Sequence, residues 1–131
     1  MSGQSGKASV VRGKSYAFAL RIIELARRLR KQREYELASQ VLRAGTSIGA
    51  NVEEAQAGSS RAEIVGLRAE GPPALAKMSI ASKEARESHY WLRLLRDSRA
   101  VPVDHLNTMI QDVEELIRIL TAIVKTGRTS K

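Results

Sequence analysis

Apolar residues recur along this chain with the period of an α-helix, and no stretch alternates as a half-buried strand would. In the first segment, Ser15 to Arg33, Phe18, Ile22, Leu25 and Leu29 are spaced 4-3-4. Ala19, Ile23 and Ala26 widen that stripe to the breadth of a bundle helix. The second segment, Glu36 to Ala57, carries Leu37, Val41, Ala44, Ile48, Val52 and Ala55 on one face. A third runs from Pro73 to Arg96 with Met78, Ala81, Ala85, Leu92 and Leu95. A fourth opens between Pro102 and Asp104 and closes near Lys125, with Leu106, Val113 and Leu120 seven apart. Four helices of similar length joined mostly by short connections predict an all-α, up-down-up-down four-helix bundle. Its core should be rich in Ala and Leu and poor in aromatics.

The punctuation refines this picture. Residues 1–13 read as a flexible leader, 14–126 as the bundle domain and 127–131 as a frayed tail. Ser60-x-x-Glu63 has the form of a capping box that could begin a helix after Gly58-Ser59. Gly71-Pro72-Pro73 would break a helix but can start the next one. Small residues crowd the second segment, and Gly45-x-x-x-Gly49 is a spacing that lets helix backbones approach closely. Two mid-helix glycines cost about 1 kcal/mol each relative to alanine, so close packing against a neighbour is the expected compensation. A phosphate-binding loop is the rival reading, but no Gly-Lys-Ser/Thr follows.

Charge adds an asymmetry. The 131-residue chain holds 22 Lys+Arg against 14 Asp+Glu, a net charge of +8. Residues 1–36 contribute nine basic and three acidic side chains, so most of the excess belongs to the first helix and its leader. Lys14, Arg21 and Arg28 line one flank of that helix, and Arg27 and Lys31 point away from the core stripe. Such a face attracts RNA or DNA. Equally, it can be a solvated face that keeps the protein dispersed, with Glu24 pairing to Arg28. Tyr90-Trp91 are adjacent, so at least one must leave the core. With the off-stripe Leu20 and Leu94 they are candidates for a subunit or partner interface, and base stacking is the sharper alternative.

Catalytic chemistry finds no foothold. Cysteine is absent, which suits a reducing cytoplasm, and the expected location is cytoplasmic. No apolar run reaches the roughly 20 residues that span a bilayer, so no membrane partner is expected. His89 and His105 lack the Glu-x-x-His pattern of a bundle di-iron site, so no metal or cofactor is expected. His89 should pack or hydrogen-bond, and His105 should be exposed. The carboxylate pairs Glu53-Glu54, Glu84 with Glu87, and Glu114-Glu115 stand without a nucleophile and read as polar faces.

Two long runs carry a family resemblance: Gln40-Val41-Leu42-Arg43-Ala44-Gly45-Thr46-Ser47-Ile48-Gly49-Ala50-Asn51-Val52-Glu53-Glu54-Ala55, and Lys77 through Leu92. With Lys14 to Leu20 and Glu114 to Leu120, they resemble the 23S rRNA intervening-sequence proteins, over about residues 14 to 126. The resemblance implies a bacterial cytosolic bundle that assembles into a ring, commonly a homopentamer. Some members are encoded inside intervening sequences of 23S rRNA genes. A related branch, the basic accessory proteins of diversity-generating retroelements, binds reverse transcriptase and nucleic acid. No established enzymatic activity comes with the family. One departure stands out: Gly66 to Leu75 looks like an insertion, which predicts a third helix interrupted or preceded by a loop at about 66–75. The resulting expectation is a non-enzymatic homo-oligomer, a pentamer by the resemblance, with Lys14, Arg21, Arg27, Arg28 and Lys31 contacting RNA or DNA. A protein partner such as a reverse transcriptase is also implied. The alternative is a structural or protein-interaction scaffold whose charge serves solubility.

Overall fold

The structure, a computed structural model, describes residues 3–64 and 72–129, with side chains described over 6–57 and 73–128. Four α-helices make up the fold: α1 (Gly3–Lys31), α2 (Tyr35–Ile64), α3 (Pro72–Asp97) and α4 (Val103–Thr129). Each helix packs antiparallel on its sequence neighbours, and α4 returns to α1, which closes the up-down-up-down square. Cross-helix contacts fix the register. Ser15 lies over Gly49 and Ile22 over Gly45. Arg43 meets Glu84, and His89 meets Glu114.

The core follows the stripes. Phe18, Ile22, Leu25 and Leu29 are buried on α1, with Val41, Ala44, Ile48 and Val52 facing them from α2. On α2, Ala38 is fully buried while Leu37 packs at the core margin. Phe18 is the one fully buried aromatic among the described residues; Tyr16, Tyr35 and Tyr90 are exposed and Trp91 lies at the margin.

The helix ends differ from expectation in three places. First, α1 starts at Gly3, so residues 3–13 of the expected leader are helical. Val11 is fully buried and extends the apolar stripe backward through Ser15, whose hydroxyl donates to the Arg12 carbonyl at 3.2 Å. The Gln56 amide also donates to the Ala8 carbonyl at 2.8 Å. Second, Ser60 to Glu63 do not begin a helix but belong to the last turns of α2. Gly58 weakens a helix without stopping it. Third, α4 runs through Gly127 to Thr129. Gly127 packs against the start of α3, where an added Cβ would stand 2.8 Å from Leu75 Cδ1. The described part of the expected tail is therefore helical because it has something to pack on.

The prolines act as expected, since α3 begins at Pro72. Of the expected insertion at 66–75, residues 66–71 lie outside the described residues, and 72–75 form the first turn of α3.

Both remaining turns use an arginine in the left-handed backbone region, Arg33 at φ 63° and Arg99 at φ 61°. After α1, Glu34 N–H donates to the Leu29 carbonyl (2.8 Å) and Arg33 N–H to the Arg30 carbonyl (2.9 Å). After α3, Ala100 N–H reaches the Leu95 carbonyl (3.1 Å) and Arg99 N–H the Arg96 carbonyl (3.2 Å). These are paired Schellman caps, a position where glycine is the usual residue.

Candidate nucleic-acid interface

The antiparallel register sorts the cations of α1 into two groups. Arg12, Lys14 and Arg21 each face a carboxylate on a neighbouring helix. Arg12 Nε lies 2.9 Å from Glu53, Lys14 Nζ 3.1 Å from Glu115, and Arg21 Nη1 2.5 Å from Asp112. Arg27, Arg28 and Lys31 lie beyond the reach of those acids. Among the described residues they enter no ion pair, and Glu24 does not close on Arg28.

These three occupy the end of the bundle where α1 stops and α4 starts. Arg28 and Arg21 line an open cleft between α1 and α4 with Asp104 and the exposed His105. Arg33 and Arg99 project from the two turns that close this same end. Neither turn arginine stands out in the sequence, because nothing in the helical period marks a turn side chain. Holding an arginine in left-handed backbone costs about 1 kcal/mol, and strain of this kind concentrates at functional positions. Arg96 is different, because its Nε donates to the Asp97 carboxylate at 2.8 Å. That hydrogen bond holds the Asp97 carboxyl below the usual carboxylate range.

The apolar candidates divide between opposite corners. Leu20 is half exposed on α1, whereas Tyr90 and Leu94 are exposed on α3, and among the described residues the α1 and α3 backbones do not come close. Trp91 turns back to the protein, donating its indole N–H to Glu87 at 2.9 Å. Tyr90 meets Trp91 edge to face at 5.6 Å, and the Arg93 guanidinium lies 5.9 Å from the Tyr90 ring. Gly45 and Gly49 both face α1. A Cβ on Gly45 would stand 2.5 Å from Ile22 Cγ1, while one on Gly49 would meet Ser15 only at 3.5 Å.

The carboxylate pairs are occupied by cations. Glu84 and Glu87 share Arg43 of α2, and Glu54 faces Lys77 at 3.4 Å. Glu114 meets His89 Nε2 at 3.1 Å. Among the described residues no three His, Asp or Glu side chains gather as metal ligands. No described helix is long and apolar enough to cross a membrane. A second basic surface, where Lys83 and Arg86 of α3 approach Lys125 and Arg128 of α4, was not singled out from the sequence. Its only sequence trace is a pair of i,i+3 spacings on two separate helices.

The model of the family described as 23S rRNA-intervening sequence protein matches residues 7–122. The chain belongs to that family. A solved structure of a protein of unknown function, from the S23 ribosomal protein family of Bacteroides thetaiotaomicron VPI-5482, is 38% identical. It superposes with a TM-score of 0.75, covering 88% of this chain and 99% of that one. No curated protein matches the sequence. The match of this intervening-sequence family member begins at residue 7, inside the stretch of α1 that the stripe alone had not reached.

Proposed function

We propose that this chain is a non-enzymatic, self-associating helical bundle that binds the phosphate backbone of RNA or DNA at the end where α1 stops. One observation carries the reading: among the described residues Arg27, Arg28 and Lys31 enter no ion pair, while Arg12, Lys14 and Arg21 of the same helix each meet a carboxylate. Arg33 and Arg99 extend the same basic end from its two turns. Cations without an internal counter-ion keep their full attraction for phosphate, and contacts of this type position nucleic acid without reading sequence. Lys14 and Arg21 take part only by exchanging their carboxylate partners for phosphate, which makes them the weaker contributors.

Self-association rests on Leu20 and the Tyr90/Leu94 pair. Two unlike apolar patches on opposite corners suit a heterologous contact, and a heterologous contact that closes makes a ring. The homopentamer of the family resemblance is one such ring. The same patches favour the second reading, a protein-interaction scaffold, if nucleic acid is not bound.

The test is affinity for structured RNA and duplex DNA across a salt series, with oligomer mass followed by light scattering. The triple variant Arg27→Gln/Arg28→Gln/Lys31→Gln should bind more weakly. For duplex DNA its slope of log affinity against log salt should flatten by about 2–3, three lost contacts at about 0.9 each. An affinity and slope identical to those of the parent protein would remove this end of the bundle from consideration.

A further inference from the structure

At three of the four seams between adjacent helices, the charged side chains that meet across the seam do so as cation–carboxylate pairs. Arg12–Glu53 spans α1 and α2, Lys14–Glu115 and Arg21–Asp112 span α1 and α4, and Arg43 and Lys77 meet glutamates across α2 and α3. The α3/α4 seam departs from this below His89–Glu114. There Lys83 and Arg86 face Lys125 and Arg128 across a half-open groove of about 420 Å³, and among the described residues no carboxylate lines it. Lys83 and Arg128 enter no ion pair among the described residues. The Arg86 guanidinium reaches only the Thr121 hydroxyl, at 3.4 Å, which is long for a useful hydrogen bond.

The groove floor holds a second signal. Ser82 lines it and is only 7% exposed, yet its hydroxyl has no hydrogen-bond partner among the described residues. The other two buried serines are satisfied internally, Ser15 by the Arg12 carbonyl and Ser88 by the Glu84 carbonyl. Among the described residues no buried side-chain oxygen lacks a partner, so the Ser82 hydroxyl is open to solvent at the cationic groove and can donate to a ligand there. The helix dipole accounts for Lys125 and Arg128 near the end of α4. It does not account for Lys83 and Arg86 within α3, nor for the unpartnered serine.

We propose that the α3/α4 groove is a binding site for phosphate groups in series, with Ser82 at its floor and Thr121, Lys83, Arg86, Lys125 and Arg128 around it. A single carboxylate would answer one of four positive charges. Phosphates offer several acceptor oxygens and more negative charge per group, and the guanidinium fork matches them. The cations on each helix are one turn apart or less, roughly 5 Å, so the phosphates are adjacent, as in a polyphosphate or in neighbouring nucleotides. Lys125 stands 20 residues along α4 from His105, about 30 Å at 1.5 Å per residue. This groove is therefore a separate site from the basic end of α1 and does not depend on it.

Calorimetric titration of the full chain with inorganic tripolyphosphate, at low salt, tests the site. The parent protein should bind, Lys83→Gln/Arg128→Gln should weaken binding about tenfold, and Ser82→Ala about threefold, as loss of charge-assisted hydrogen bonds requires. All six substituted positions in the comparison, these and the Arg27/Arg28/Lys31 triple, keep the core untouched or remove one oxygen, and circular dichroism checks the fold. The triple variant should retain tripolyphosphate binding. A parallel titration with a single-stranded RNA oligonucleotide separates the sources. RNA binding weakened by the groove variants points to backbone phosphates, and weakening confined to tripolyphosphate points to a free polyphosphorylated ligand; either supports the site. No tripolyphosphate binding by the parent, or equal affinity in Lys83→Gln/Arg128→Gln, overturns it. If the triple variant alone loses RNA and the groove variants bind tripolyphosphate like the parent, the α1 reading stands and the groove proposal falls.

Discussion

The first and second halves of α1 are both basic, yet they stand in different surroundings. From Val11 to Ile22 the helix is held by α2 and α4: Val11, Phe18 and Ile22 are buried, the glycines of α2 bring its backbone close, and Arg12, Lys14 and Arg21 each face a carboxylate. From Arg27 onward Leu29 still anchors the helix, but Arg27, Arg28 and Lys31 enter no ion pair among the described residues and a strained Arg33 follows. Identical side-chain chemistry therefore serves packing register in one half and leaves free positive charge in the other. A count of Lys and Arg cannot separate these outcomes, because each exposed ion pair cancels most of a cation's field while adding about 1 kcal/mol or less to stability.

The strongest way to break this contrast is to empty the packed half. Phe18→Ala should cost about 3–5 kcal/mol, since the ring is 1% exposed and leaves a cavity. Urea denaturation reads this directly, and a loss below that range would mean the first half is not the anchor. The Arg27/Arg28/Lys31 triple variant, by contrast, should shift stability by no more than about 0.5 kcal/mol.

The glycine seam gives a smaller and more discriminating effect. Gly45→Ala forces a Cβ into the Ile22 side chain, an overpacking cost of about 1–3 kcal/mol set against about 1 kcal/mol of regained helix propensity. It should destabilise. Gly49→Ala meets only ordinary contact with Ser15 and should stabilise by up to about 1 kcal/mol. Two thermal melts decide whether the signs are opposite; equal signs would mean that α1 and α2 are not seated in this register.

At the free end, Arg33→Gly and Arg99→Gly should hold or raise stability, by up to about 1 kcal/mol, because glycine relieves the left-handed backbone while loosening the unfolded chain. The same variants should lower RNA affinity. A drop in stability without any change in binding would show that these arginines serve the turns alone. Smallest of all, Arg21→Gln should cost about 0.2–1 kcal/mol, and high salt should erase the difference from the parent protein.

Much of the fold was legible because helical periodicity is local. The 4-3-4 spacing of Phe18, Ile22, Leu25 and Leu29, and the seven-residue repeat of Leu106, Val113 and Leu120, mark faces that are buried in the structure. Helix ends were less legible. Val11 looked like part of a leader and Gly127 like a stop, and each is helical because a distant residue, Gln56 or Leu75, packs or bonds there. Ser60 and Glu63 satisfied the capping pattern without beginning a helix, since the pattern names residue types and not backbone geometry. Of the five candidate phosphate contacts, the sequence could not distinguish Lys14 and Arg21 from Arg27, Arg28 and Lys31. The deciding partners, Glu115 and Asp112, lie about 90 to 100 residues away along the chain.

By itself the sequence determined four amphipathic helices, their apolar faces, the proline start of α3 and the total positive charge. Those are properties of residues within a few turns of one another. Only the tertiary structure decided which cations are neutralised, which glycine is filled by Ile22, and where Ser82 opens beside four basic side chains. An ion pair or a hydrogen bond exists only within about 3–4 Å, and that distance is set by the antiparallel register of helices far apart in sequence.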